Sequence, residues 1–100
     1  MKRSFYSKMP AEVKEVSLEL KTFMEKFPDS IEDVMRGYFC SYWQEFCKEW
    51  KKDTNENLDW ISFALMPHNS IYFTEWVMVN NPEVLTKVKS DLECLKEDAP

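Results

Sequence analysis

The hundred residues contain a single glycine, Gly37, and no Asn-Gly or Asp-Gly pair. The tight hairpins of a many-stranded sandwich or barrel need positive φ at their turns, and these are the residues that supply it. A chain without them is steered toward helices. An apolar fraction of 44% with fifteen aromatic residues gives enough core to fold without metals or disulfide staples. The length suits one domain over residues 1–100.

Helical spacing recurs along the chain. Residues 1–9 place Lys2, Arg3 and Lys8 around Phe5 and Tyr6 without a period and read as an irregular arm. From Pro10, the residues Val13, Val16, Leu20, Phe23, Met24 and Phe27 fall within an arc of roughly 100°, and Leu18 alone sits among Lys14, Lys21 and Glu25 on the other side. Pro28 ends that helix. Ser30 with Asp33 approximates a capping box for a second helix. Over residues 31–52, Ile31, Met35, Tyr38, Phe39, Tyr42, Trp43, Phe46 and Trp50 span roughly 140° of one continuous rod. So wide an arc predicts contact with two neighbours, which would make this aromatic-rich helix the centre of the bundle.

Residues 51–57 are a polar connector, and Thr54 or Asn55 is the expected cap of a short helix over about 56–66. Pro67-His68-Asn69-Ser70 reads as a turn. Residues 71–79 mix strand formers with a cap and a glutamate that suit helix, and periodicity does not separate the two. Last, Asn81 and Pro82 open a helix whose Val84, Leu85, Val88, Leu92 and Leu95 share a face, with residues 97–100 expected to fray. The fold expected is mainly α, a compact bundle of four to five helices. The alternative is α+β, with a hairpin over about 60–79 packed on three helices.

Charge and cysteine usage narrow the function. Thirteen basic and eighteen acidic residues are interleaved to a net −5, leaving no basic stripe for phosphates. The alternative function is a nucleic-acid-related one, either a weak binder through Lys48, Lys51 and Lys52 or the Lys2, Arg3 and Lys8 arm, or a DNA mimic through the carboxylates. The mixed charge makes nucleic acid a poorer fit than protein as the partner. Three cysteines leave one unpaired in any disulfide scheme, and no C-x-x-C occurs, which points to a reducing cytoplasm. Ser4, Ser7, Lys8 and Pro10 interrupt what a signal peptide would need as an apolar run, and no run approaches a membrane span.

Cys40, Cys47, Cys94 and His68 are the donors of a structural zinc site, but on one helix Cys40 and Cys47 would be separated by a rise of roughly 10 Å. Sharing a metal would require a break in that helix. A cysteine nucleophile paired with His68 lacks any surrounding signature. No phosphate loop, dinucleotide fingerprint or hydrolase elbow occurs, so no cofactor and no catalysis are expected.

What remains is anchor residues. Six aromatics fall within positions 38–50, and aromatic side chains are favoured at binding surfaces. Trp43 and Trp50, with Trp60 or Trp76, are the expected partner-binding residues. Gly37 with Ser41 one turn later is a second candidate, a place for close approach by a partner's backbone; the plainer reading of Gly37 is a bend or a helix boundary. The expected function is that of a small stoichiometric regulator or inhibitor that binds another protein. Self-association into a symmetric dimer would bury the same kind of surface. Size and acidity are those of small phage-encoded inhibitors, an analogy of class that assigns no residue.

Overall fold

A computed structural model describes residues 10–98. Five α-helices follow in order: α1 Ala11–Lys26, α2 Ile31–Tyr38, α3 Trp43–Thr54, α4 Pro67–Asn80 and α5 Pro82–Asp98. Two 3-10 turns, Pro28–Ser30 and Cys40–Tyr42, flank α2, and a π turn, Trp60–Ala64, precedes α4. The fold is mainly α with no strand among the described residues, so the hairpin alternative is not adopted. The arm over residues 1–9, Ala99 and Pro100 lie outside the described residues.

α1 begins after Pro10 in extended backbone and carries Glu12 in its first turn and Lys26 in its last, both matched to the helix dipole. It buries Val13, Val16, Ser17, Leu20 and Met24. Phe27, expected on that face, leaves the helix at φ −126°, because the residue before a proline is pushed out of the α region. The capping box does not form. Ser30 closes the 3-10 turn instead, its hydroxyl donating to the Phe27 carbonyl at 2.7 Å, and α2 continues from it without a side-chain cap.

The continuous rod over 31–52 is not what the chain adopts. α2 stops at Tyr38, Phe39 departs to φ −123°, ψ −18°, and α3 restarts at Trp43 after one 3-10 turn. The residues at the break, Gly37, Tyr38, Phe39, Cys40, Ser41 and Tyr42, are all poor helix formers. The wide aromatic arc is really two narrower ones. Ile31, Met35 and Phe39 are buried from the first segment and Phe46 and Trp50 from the second, while Tyr38, Tyr42 and Trp43 are half-buried. Thr54 and Asn55 close α3 rather than open a helix. Asn55 takes the left-handed conformation at φ 60°, and Thr54 Oγ1 donates to the Trp50 carbonyl and accepts from the Glu56 amide. The turn expected at 67–70 is instead the start of α4, with Pro67 at the first position, where its missing N–H costs nothing. Asn81 does not cap α5 through its side chain; its amide donates back to the Val77 carbonyl and finishes α4. α5 stays helical through Asp98, past the fraying expected at Glu97.

The central helix is α4. It packs against α1, α3, the π turn and α5, and Phe73, Thr74, Glu75, Trp76, Val77 and Met78 are consecutively buried. A helix enclosed on all sides needs apolar residues all round. Its one buried carboxylate is tied to α1, where the Ser17 hydroxyl donates to Glu75 Oε2 at 3.0 Å. Around Phe46 the rings form one cluster, with centroids 5.1 Å to Phe73, 5.6 Å to Trp50 and to Trp76, and 5.8 Å to Phe63.

Tyr38 joins α2 to α5 by donating to the Asp91 carboxylate. Burial, then this hydrogen bond and the charge behind it, pushes the phenol up to about 12, and the same bond holds Asp91 below its ordinary value. A raised folded-state pKa contributes stability that is complete below the unfolded value of 10.0 and is lost as pH climbs toward about 12. In alkaline melts the wild type is expected to lose its advantage over Tyr38→Phe across that window. A constant difference between the two would mean the bond does not form.

Candidate functional site

The expected anchors divide. Trp50 is 2% exposed and Trp76 is 6% exposed, so neither presents a surface. Both belong to the ring cluster, and the Trp50 indole also donates to Glu56 at 3.1 Å. Trp43 and Trp60 are half-buried and pack edge to face at 5.3 Å. The indole nitrogen of Trp60 is buried without a hydrogen-bond partner. Gly37 and Ser41 are both exposed, but the break at Phe39 puts them on separate segments, so they do not form one face of a helix. A Cβ built at Gly37 meets nothing within 4 Å, and its φ is not positive. Gly37 therefore marks a helix end and costs stability. Gly37→Ala is expected to raise stability by about 0.5–1 kcal/mol in urea titrations, and a destabilised variant would contradict this placement.

The break that a shared zinc would need does exist. Yet Cys40 and Cys94 are exposed, Cys47 is half-buried, and His68 is exposed in the first turn of α4. Among the described residues no three His, Cys, Asp or Glu side chains converge in a metal-binding group. Burial pushes the Cys47 thiol up, away from the thiolate a nucleophile requires.

A hollow lies between α1 and α5. It measures about 590 Å³ and is lined by Leu18, Glu19, Thr22, Phe23, Lys26 and Phe27 from α1 and its C-cap and by Leu92 and Leu95 from α5. Leu18 is 45% exposed, Phe27 48% and Leu95 49%, so three large apolar side chains stand half in water around one groove. Phe23 and Phe27 pack at 5.1 Å to make one wall. A smaller hollow of about 120 Å³ adjoins it, shares Phe23, Leu92 and Leu95, and reaches the Tyr38–Asp91 hydrogen bond. Glu19 and Lys26 are the charges at the larger groove. An apolar concavity with a few charges on its border is the usual form of a helix-receiving site.

Phe27 and Leu95 belong by spacing to the core faces of their helices, and both emerge at the core's edge. Leu18, an isolated leucine on a charged helix face, is the signal of the groove that the sequence carries. Ile61 at 68% and Met66 at 49% are further exposed apolar side chains, in and just after the π turn. No helix among the described residues is long and apolar enough to cross a membrane. In comparisons with known proteins, no family model, no curated protein and no solved structure matches the chain.

Proposed function

We propose that this chain is a stoichiometric protein-binding regulator that receives an amphipathic helix in the α1–α5 groove. The observation that carries the reading is the half exposure of Leu18, Phe27 and Leu95 around one concavity, since apolar surface gathered in a hollow is where burial by a partner gains most. An entering helix would lay its aliphatic face against Phe23, Phe27 and Leu92. Its polar border would meet Glu19 and Lys26, the two charged side chains that line the groove.

A photo-reactive residue replacing Thr22, inside the groove, is expected to form an adduct with a foreign protein in an extract of the source organism. The same probe at exposed Gly37 is expected to form none, and Leu18→Glu with Leu95→Glu should abolish the Thr22 adduct. Equal labelling from both positions, or an adduct indifferent to the two glutamates, would sink the reading.

A further inference from the structure

We infer that the π turn is a conformational device in which the Trp60 indole alternates between its seat against Trp43 and a position in water. The inference is independent of the α1–α5 groove. It starts from a contrast between two tryptophans. Trp50, 2% exposed, lies deeper and still finds an acceptor, its indole donating to Glu56 at 3.1 Å. Trp60 is only half-buried, yet its nitrogen is shut away from solvent with no acceptor among the described residues. A buried donor left unpaired loses its bonds to water and receives nothing in return. For a side chain already partly at the surface, the shortest repair is to turn outward.

Ring packing opposes that movement. Trp60 meets Trp43 edge to face at 5.3 Å and Phe73 at 6.5 Å. The apolar surface that a half-buried ring keeps dry and the donor it leaves unsatisfied are worth similar amounts with opposite sign, so neither position outweighs the other by much.

The backbone allows the exchange at Trp60 alone. Trp60 is the first residue of the turn, preceded by extended backbone at Asp59, and residues 55–57 before it are exposed. The Phe63 amide holds the Asp59 carbonyl at 2.9 Å, but the bonds that follow are longer, from Leu65 to the Trp60 carbonyl at 3.2 Å and from Met66 to the Phe63 carbonyl at 3.4 Å. Single π turns are rare and recur where function needs a departure from the α-helix. The later residues are held fast. Phe63 lies 5.2 Å from Trp50 and 5.8 Å from Phe46, Ala64 is fully buried, and Asn69 donates to the Ser62 carbonyl at 3.0 Å. The turn therefore stays seated while its first side chain moves, and each departure opens the side of Trp43 that Trp60 covers.

Fluorine NMR of the full chain made with 5-fluorotryptophan tests this. A second chain, synthesised with benzothienylalanine at position 60, keeps the bicyclic shape, carries sulfur in place of the N–H, and assigns the Trp60 signal by its loss. In the first chain that signal is expected to be broadened by exchange or split, with a minor population of up to roughly 10%, while Trp50 and Trp76 stay single and sharp. Trp43, the ring that Trp60 leaves, should broaden with it. The Trp60 indole proton should exchange with deuterium at least about tenfold faster than that of Trp50. The second chain is expected to unfold at a higher urea concentration and to show a sharp Trp43 signal, because the donor that drives the ring outward is gone.

A Trp60 signal as sharp as those of Trp50 and Trp76 overturns the inference, as does an indole proton protected as well as that of Trp50. So does a contact from that proton to a long-lived water, which would mean that the nitrogen is satisfied in place. A benzothienylalanine chain with a lowered urea midpoint, or with Trp43 still broadened, overturns it as well.

Discussion

Phe46→Ala is expected to remove about 3–5 kcal/mol of stability, the range for deleting a large aromatic side chain from a closed core. Phe46 is 0% exposed and its ring lies within 6.0 Å of Trp43, Trp50, Phe63, Phe73 and Trp76. Those neighbours come from α3, the π turn and α4, so the cavity would open where three elements meet and no single one can shift to fill it. Rigid surroundings place the cost at the upper part of the range. A domain of this size holds only about 5–15 kcal/mol in all. The variant should therefore unfold at a much lower urea concentration with an unchanged slope, followed by the fluorescence of its tryptophans. A loss below about 1 kcal/mol would mean that the ring cluster is not packed as described.

Val77→Asp is expected to abolish the folded state. Val77 is 0% exposed on α4, and the residues beside it in sequence, Trp76 and Met78, are buried as well. A carboxylate there has no route to water and no partner placed to receive it, so it either stays charged at a cost of several kcal/mol or takes up a proton and remains poorly accommodated. Either outcome exhausts the stability of a small domain. Circular dichroism should show reduced helix and no cooperative thermal transition near neutral pH. A Val77→Asp chain melting like wild type would remove α4 from the centre of the fold.

The contrast between α1 and α4 shows what the residues revealed and what they hid. α1 and α5 each leave one face to water, so their apolar residues recur at three and four positions and stand out, and Pro10 and Pro82 mark their starts. α4 touches elements on every side. Enclosure erases the periodicity that separates helix from strand, and the sequence of residues 71–79 therefore suits both. Residues 31–52 misled in the opposite direction. Their broad aromatic arc has the pattern of one helix between two neighbours, yet it is two short arcs turned against each other at Phe39. No local pattern distinguishes these, because the turn is fixed by where Phe73 and Trp76 on α4 await the rings.

The groove was legible only in fragments. Leu18 stood out on its charged face, but a wheel drawn for one helix cannot show that Leu95 comes alongside from seventy-seven positions later. Phe27 and Leu95 end their respective stripes, and a stripe does not record where the neighbouring helix stops covering it. Trp50 and Trp76 lie inside the core because the aromatic density that recommends a surface is also what a small core needs for its volume.

The interruption at Phe39 has a further effect on how the molecule opens. α2 is only eight residues long and is held by Ile31, Met35 and Phe39 beneath it and by Tyr38 reaching to Asp91. A continuous rod would have to be released along its whole length, but the bend lets this short piece swing out while α3 stays seated. Hydrogen exchange is then expected to mark residues 31–38 as a separate early-opening unit, with amides that trade with deuterium well before those of residues 73–78, which should exchange only through global unfolding.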